Sequence, residues 1–102
     1  MTLSSSDSVD GGGGADSLNA TINTAGTYSP SVVDVESIYA TFTAGGTLSL
    51  DNISGVTTLE NTNSTVASTF SNISDLSTSF GVSGNTGDVT LFLIVVVQSN
   101  LK

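Results

Sequence analysis

The sequence predicts an all-β fold, a right-handed parallel β-solenoid (β-helix or β-roll) with coils of about 20 residues. Three observations predict it: apolar and polar residues alternate in short runs, no window spaces apolar residues as a helix would, and similar phrases recur along the chain. In a solenoid each coil buries its apolar face only by stacking on its neighbours. An antiparallel β-sandwich is the alternative, because frequent turn residues between short strands suit that fold as well.

The clearest strand lies at residues 38–43, where apolar and polar side chains alternate. Thr, Val and Ile, which favour strands, are frequent throughout the chain. The predicted inner face carries Ile38, Ala40 and Phe42, and the outer face carries Tyr39, Thr41 and Thr43.

Two pairs of phrases carry the repeat. "LDNISGVTTL" at 50–59 aligns with "FSNISDLSTS" at 70–79, and "VESI" at 35–38 aligns with "VTTL" at 56–59. The first alignment sets Leu50 against Phe70, Ile53 against Ile73 and Val56 against Leu76. Short strands joined by tight bends would place five apolar residues inside the coils: Leu48, Leu50, Ile53, Val56 and Leu59.

Composition excludes several classes of function. The 102 residues suit one domain, carry a net charge of −8 and include no His or Cys. Nucleic acid and anionic membranes are therefore poor partners, and thiol or imidazole catalysis and the usual zinc sites are ruled out. Any bound metal would have to be a hard cation held by oxygen atoms. We expect no enzymatic activity.

The chain divides by composition into two parts. Residues 1–17 form a polar segment rich in Gly and Asp, and residues 18–102 form a single β-rich repeat domain. Near its end, "LFLIVVV" at 91–97 is far shorter than the roughly 20 apolar residues of a membrane-spanning helix. We therefore predict a strand there and no transmembrane segment. Such an apolar strand needs a cover, which predicts self-association or contact with neighbouring repeats.

One motif stands out in the N-terminal segment. "GGGGADSLN" at 11–19 places glycine at 11, 12 and 14, aspartate at 16 and leucine at 18. Glycines permit a tight turn whose carbonyl oxygens point inward, and an aspartate adds a carboxylate, which together are ligands that Ca²⁺ prefers. A plain glycine-rich linker is the alternative interpretation.

This stretch resembles the calcium-binding nonapeptide of the repeats-in-toxin, or haemolysin-type, proteins. The resemblance implies a calcium ion held by the turn of Gly11, Gly12 and Gly14 together with Asp16, and shared with the next coil. Asp34 has the sequence separation required of a partner, although its surroundings contain no glycine, and Asp7 is expected at the opposite edge.

Three further phrases, "GGGGADSLNATI", "VESIYATFTAGGTLSL" and "ISGVTTLEN", resemble segments of Gram-negative S-layer proteins and adhesins. This resemblance implies a secreted, extracellular structural or adhesive segment at the bacterial cell surface. The alternative, tied to the sandwich fold, is a module that binds carbohydrate or a protein partner through its loops.

Overall fold

A computed structural model describes residues 2–73 and 78–93, and these residues contain strands, turns and bends but no helix. None of them therefore forms a helix able to cross a bilayer. Ten strands follow one another along the chain: β1 (Ser8–Asp10), β2 (Ser17–Ile22), β3 (Gly26–Tyr28), β4 (Ser31–Val33), β5 (Ser37–Phe42), β6 (Gly46–Ser49), β7 (Thr58–Thr62), β8 (Ser68–Ile73), β9 (Ser79–Ser83) and β10 (Val89–Leu93).

The strands form three parallel sheets along a stack of coils. Sheet 1 has the order β2-β5-β7-β9, sheet 2 the order β3-β6-β8-β10, and sheet 3 contains β1 and β4. A bridge between Val32 and Ile53 continues sheet 3 into the next coil. Every strand pairing is parallel, with about four turns spaced by roughly 21 residues. The solenoid prediction is confirmed, and the antiparallel sandwich alternative is wrong.

Alternation along β5 determines which side chains enter the core. Ile38, Ala40 and Phe42 are buried, whereas Tyr39 and Thr41 are half-buried on the outer face, as predicted. Of the five predicted inward positions, four are buried, and Ile53 is partly buried against the core. At the centre, Phe70 makes edge-to-face ring contacts with Phe42 at 5.4 Å and with Phe80 at 5.3 Å.

Coil length changes along the stack, which corrects one predicted alignment. Ser17 lies opposite Ser37, and Ile38 lies opposite Leu59, as the phrases at 35–38 and 56–59 predict. Leu48, however, lies opposite Phe70, so the predicted pairing of Leu50 with Phe70 is wrong. Paired residues are 21 apart between β5 and β7 and 22 apart between β6 and β8, instead of the predicted 20, so one residue is added before β7 and one in the connection from sheet 1 to sheet 2.

Ile53 and Ile73 are likewise not equivalent. Ile53 bridges to Val32 in sheet 3, whereas Ile73 ends β8 in sheet 2 and pairs with Leu93. The isoleucines of the repeated "NIS" phrase therefore lie in different sheets. Leu76, the predicted partner of Val56, and residues 94–97 of the apolar run lie outside the described residues.

The N-terminal segment contributes to the coil stack. β1 pairs with β4, Thr2 bridges to Thr21, and Leu3 is buried in the core. Residues 4–7 make a tight turn in which the Asp7 amide donates to the Ser4 carbonyl. The Leu3 side chain of this polar stretch therefore adds to the apolar core at the N-terminal end of the stack.

Candidate cation site

The glycine-rich stretch forms the corner between sheets 3 and 1 in the first coil. It leaves β1 at Gly11 and enters β2 after Asp16. Gly12 and Gly14 adopt φ of 73° and 93°, a left-handed conformation that costs glycine little. The Gly12 amide donates to Oδ1 of Asp10, and the Gly11 amide donates to the Val33 carbonyl of the next coil at 2.9 Å. The motif therefore builds a turn tied to the neighbouring coil.

Gly11 lies directly against the backbone of Asp34. A Cβ atom on Gly11 would lie 2.1 Å from the Asp34 carbonyl oxygen and 2.8 Å from Oδ2 of Asp16. Asp34 itself has φ of 55°, which Asp tolerates better than most residues, and Gly55 stacks beneath it with φ of 85°. Glycine at position 11 thus lets two oxygen atoms from successive coils border the same small space.

The carboxylate of Asp16 is the unusual group at this corner. Its Oδ2 atom is buried and has no hydrogen-bond partner among the residues that the structure describes. The Asp16 backbone is fully used, because its amide donates to Oε1 of Glu36 at 2.7 Å and its carbonyl accepts from the Ser37 amide. A buried acceptor without a donor is costly, so the arrangement favours a positively charged or hydrogen-donating ligand.

The structure brings together only some of the predicted ligands. Gly11, Asp16 and the backbone of Asp34 meet at the corner, while Gly12 and Gly14 shape its turn. Asp7 lies elsewhere, in the turn of residues 4–7, where its Oδ2 accepts from the Ser4 amide at 2.8 Å. The motif did not predict Glu36, although its position 20 residues after Asp16 matches the coil spacing.

The donor set covers part of a calcium coordination shell. Ca²⁺ takes about six to eight oxygen ligands, and the corner offers one unpartnered carboxylate oxygen and one backbone carbonyl beside it. Within residues 2–73 and 78–93, no group of three or more acidic side chains is placed to hold a metal. The described residues therefore do not complete a calcium site by themselves, and water would have to supply the remaining ligands.

The outer faces of the coils carry rows of hydroxyl side chains. Parallel register stacks one Ser or Thr of each strand on that of the next, with neighbouring strands about 4.8 Å apart. Thr41 and Thr62 exchange a hydrogen bond of 3.2 Å between their hydroxyl oxygens. The rows are Ser17, Ser37, Thr58 and Ser79, then Thr21, Thr41, Thr62 and Ser83 on sheet 1, and Thr27, Thr47, Thr69 and Thr90 on sheet 2.

Comparison with protein-family models, with curated proteins and with solved structures found no match to this chain. The fold class therefore follows from the strand register, and function has to be argued from the residues.

Proposed function

We propose that this chain is a structural segment of a secreted bacterial cell-surface protein, of the S-layer or adhesin type. The supporting observation is the continuous core, which runs from Leu3 in the first coil to Phe70 in a later one and joins the coils through parallel pairing. Each coil is stable only on its neighbours, so the chain acts as a rigid rod of stacked units. The role requires no reaction.

The surface chemistry supports an exposed location. The hydroxyl rows of sheets 1 and 2 are uncharged and hydrated, and charged residues make up only 10% of the chain. The net charge of −8 opposes random aggregation between copies. A stack with polar sides and a dry core needs neither disulfides nor a second domain to stay ordered outside the cell.

The location can be tested by antibody labelling of intact and permeabilised source cells. We expect labelling of intact cells and removal of the epitope by protease added outside. A cytosolic protein of equal abundance serves as the control for cell integrity. Labelling that requires permeabilisation would contradict the proposed location, whatever the stability of the isolated protein.

We further propose that a divalent cation such as Ca²⁺ binds at the corner of Gly11, Asp16 and Asp34. The unpartnered Oδ2 of Asp16 next to the Asp34 carbonyl supports this, since two acceptors side by side repel unless a cation or a donor lies near them. Five of the nine acidic residues lie before residue 40, so a bound cation would also relieve repulsion within the first two coils.

Thermal melts of wild type, Asp16→Asn and Asp88→Asn, with and without calcium, test this site. A cation at 100-fold excess over its Kd stabilises a protein by about 2.7 kcal/mol, which raises Tm by about 10–20 °C in a domain of this size. We expect that shift in wild type and in Asp88→Asn, which removes the same charge from an exposed residue far along the stack. Asp16→Asn should lose it.

The Asn variant also separates cation binding from simple relief of repulsion. Without calcium, Asp16→Asn should be at least as stable as wild type, because it removes a charge whose Oδ2 atom is buried without a partner. NaCl at matched ionic strength controls for screening. An equal calcium shift in wild type and Asp16→Asn would show that the ion acts elsewhere.

A further inference from the structure

The two ends of the coil stack differ in chemistry. At the N-terminal end, the turn of residues 4–7 lies over the edge of sheet 2, where the Ser5 hydroxyl donates to the Thr27 carbonyl and accepts from the Ser29 amide. Leu3 is only 3% exposed beneath this turn. The first coil therefore ends in a polar cap, as the terminal repeats of solenoids usually do.

The opposite end of sheet 1 is apolar. Val82 occupies the inward row of Ala20, Ala40 and Asn61, all of which are buried, yet Val82 itself is 53% exposed. Phe80, in the next inward row, is only partly buried. β9 pairs with β7 and has no second neighbour among the described strands. Within the described part of the chain, inward-facing apolar side chains and a strand edge without a partner thus coincide on β9.

Charge favours association through this end. Asp7, Asp10, Asp16, Asp34 and Glu36 concentrate negative charge in the first coils. After residue 60 the only charged side chains in the sequence are those of Asp75, Asp88 and Lys102, which sum to one negative charge. Two copies would repel strongly at their N-terminal ends and only weakly at their C-terminal ends.

We infer that two copies of this chain associate tail to tail through the edge of β9 that no described strand covers. This inference rests on the proposed role in assembly and names its partner, a second copy. A two-fold axis at Gly81 makes the two β9 strands antiparallel and sets Phe80 of each copy beside Val82 of the other. Aromatic and β-branched side chains form favourable cross-strand pairs, and the contact closes on itself because it uses the same surface twice.

Head-to-tail stacking is disfavoured by the same features. The N-terminal end offers a capped sheet 2 and a polar turn, with Leu3 already buried, so it presents little apolar surface to Val82. An open filament would require that surface. The stack therefore closes as a dimer with acidic N-terminal ends pointing outward.

Light scattering after size exclusion tests the dimer. Wild type at high micromolar concentration should have twice the mass of the chain. Val82→Lys should have the monomer mass, because it places a charge against Phe80 of the other copy and adds two like charges to the same contact. Thr2→Lys, an exposed substitution at the opposite end of sheet 1, should remain a dimer. A monomeric wild type, including one whose own residues 94–102 cover this end, would overturn the inference.

Cross-linking identifies which ends meet, even if Val82→Lys lowers stability. The chain has no cysteine, so single variants Val82→Cys and Thr2→Cys report on one position each. A short bismaleimide should join two Val82→Cys chains and should not join Thr2→Cys chains or a mixture of the two variants. Cross-linking in the mixture would indicate head-to-tail stacking and overturn the tail-to-tail geometry. If the protein is found on intact cells as a monomer, the dimer is wrong and the cell-surface location stands. If it is a dimer but is found only inside cells, the location is wrong and the dimer stands.

Discussion

At the scale of single residues, sterics at Gly11 dominate the candidate site. The motif predicted Gly11, Gly12 and Gly14 as one class of turn glycine, but the structure separates their reasons. Gly12 and Gly14 have positive φ, whereas Gly11 leaves room for the carbonyl oxygen of Asp34. The sequence could not predict this close approach, because it depends on which residue of the next coil lies opposite.

The comparison of Gly11→Ala with Gly13→Ala tests this steric role. A methyl group at position 11 would meet backbone at 2.1 Å, so the corner must shift, at a cost of about 1–3 kcal/mol. A methyl group at position 13 would have no atom within 4 Å, and Gly13 has no positive φ. Gly13→Ala should therefore be neutral or more stable by about 0.4–1 kcal/mol. Urea denaturation measures both, and equal midpoints would contradict the proposed packing of Gly11 on Asp34.

At the scale of elements, a buried polar cluster supports the longer turn between β7 and β8. Asn61, Ser64 and Ser68 are all buried. The Ser64 hydroxyl donates to Oδ1 of Asn61, and Nδ2 of Asn61 donates to the Ser68 hydroxyl at 3.0 Å. The Ser64 oxygen also accepts from the Phe42 amide at 2.8 Å. Asn61 takes the inward place of Ala40, and its amide group joins the hydroxyls of Ser64 and Ser68 at the two ends of the turn.

Asn61→Ala tests this cluster. Alanine occupies the same row in the preceding coils, so the backbone should accept it, but the Ser64 and Ser68 hydroxyls would lose a partner. We expect a loss of about 1–3 kcal/mol in the free energy of unfolding. Thr62→Ala, on the outer face next to it, should stay within about 0.5 kcal/mol of wild type. If both variants unfold at the same urea concentration, the cluster does not stabilise the turn.

The strands and turns also show which features of the fold the sequence predicts and which it does not. Alternation identified β5, because burial on one face of a strand leaves a period of two, and the coil model identified four buried positions between Leu48 and Leu59. The repeat of "NIS" suggested a constant coil length. One extra residue before β7 and one in the turn that leads to β8 move Phe70 opposite Leu48, and insertions in turns leave no signal in the apolar pattern.

At the scale of the whole molecule, the sequence predicted stacked parallel coils because its apolar phrases recur at nearly the coil length. It did not predict the third sheet, whose strands of three residues are too short to show a period. Nor could the sequence predict that the N-terminal end of the stack is polar and that the opposite end of sheet 1 is apolar. Val82 is exposed at the end of its row among the described strands, and the burial of Leu3 depends on the first coil folding over sheet 1.

The burial of Leu3 has a consequence for the order of folding. Leu3 is held by pairing within the stack, since its amide donates to the Thr21 carbonyl and β1 pairs with β4 of the second coil, so the first two coils form the smallest unit that can fold. Each following stretch of roughly 21 residues then meets a prepared template, with strand edges on three sides, and adds by local zippering. The nascent chain therefore adds coils in one direction. At each stage only the last coil exposes its apolar side chains.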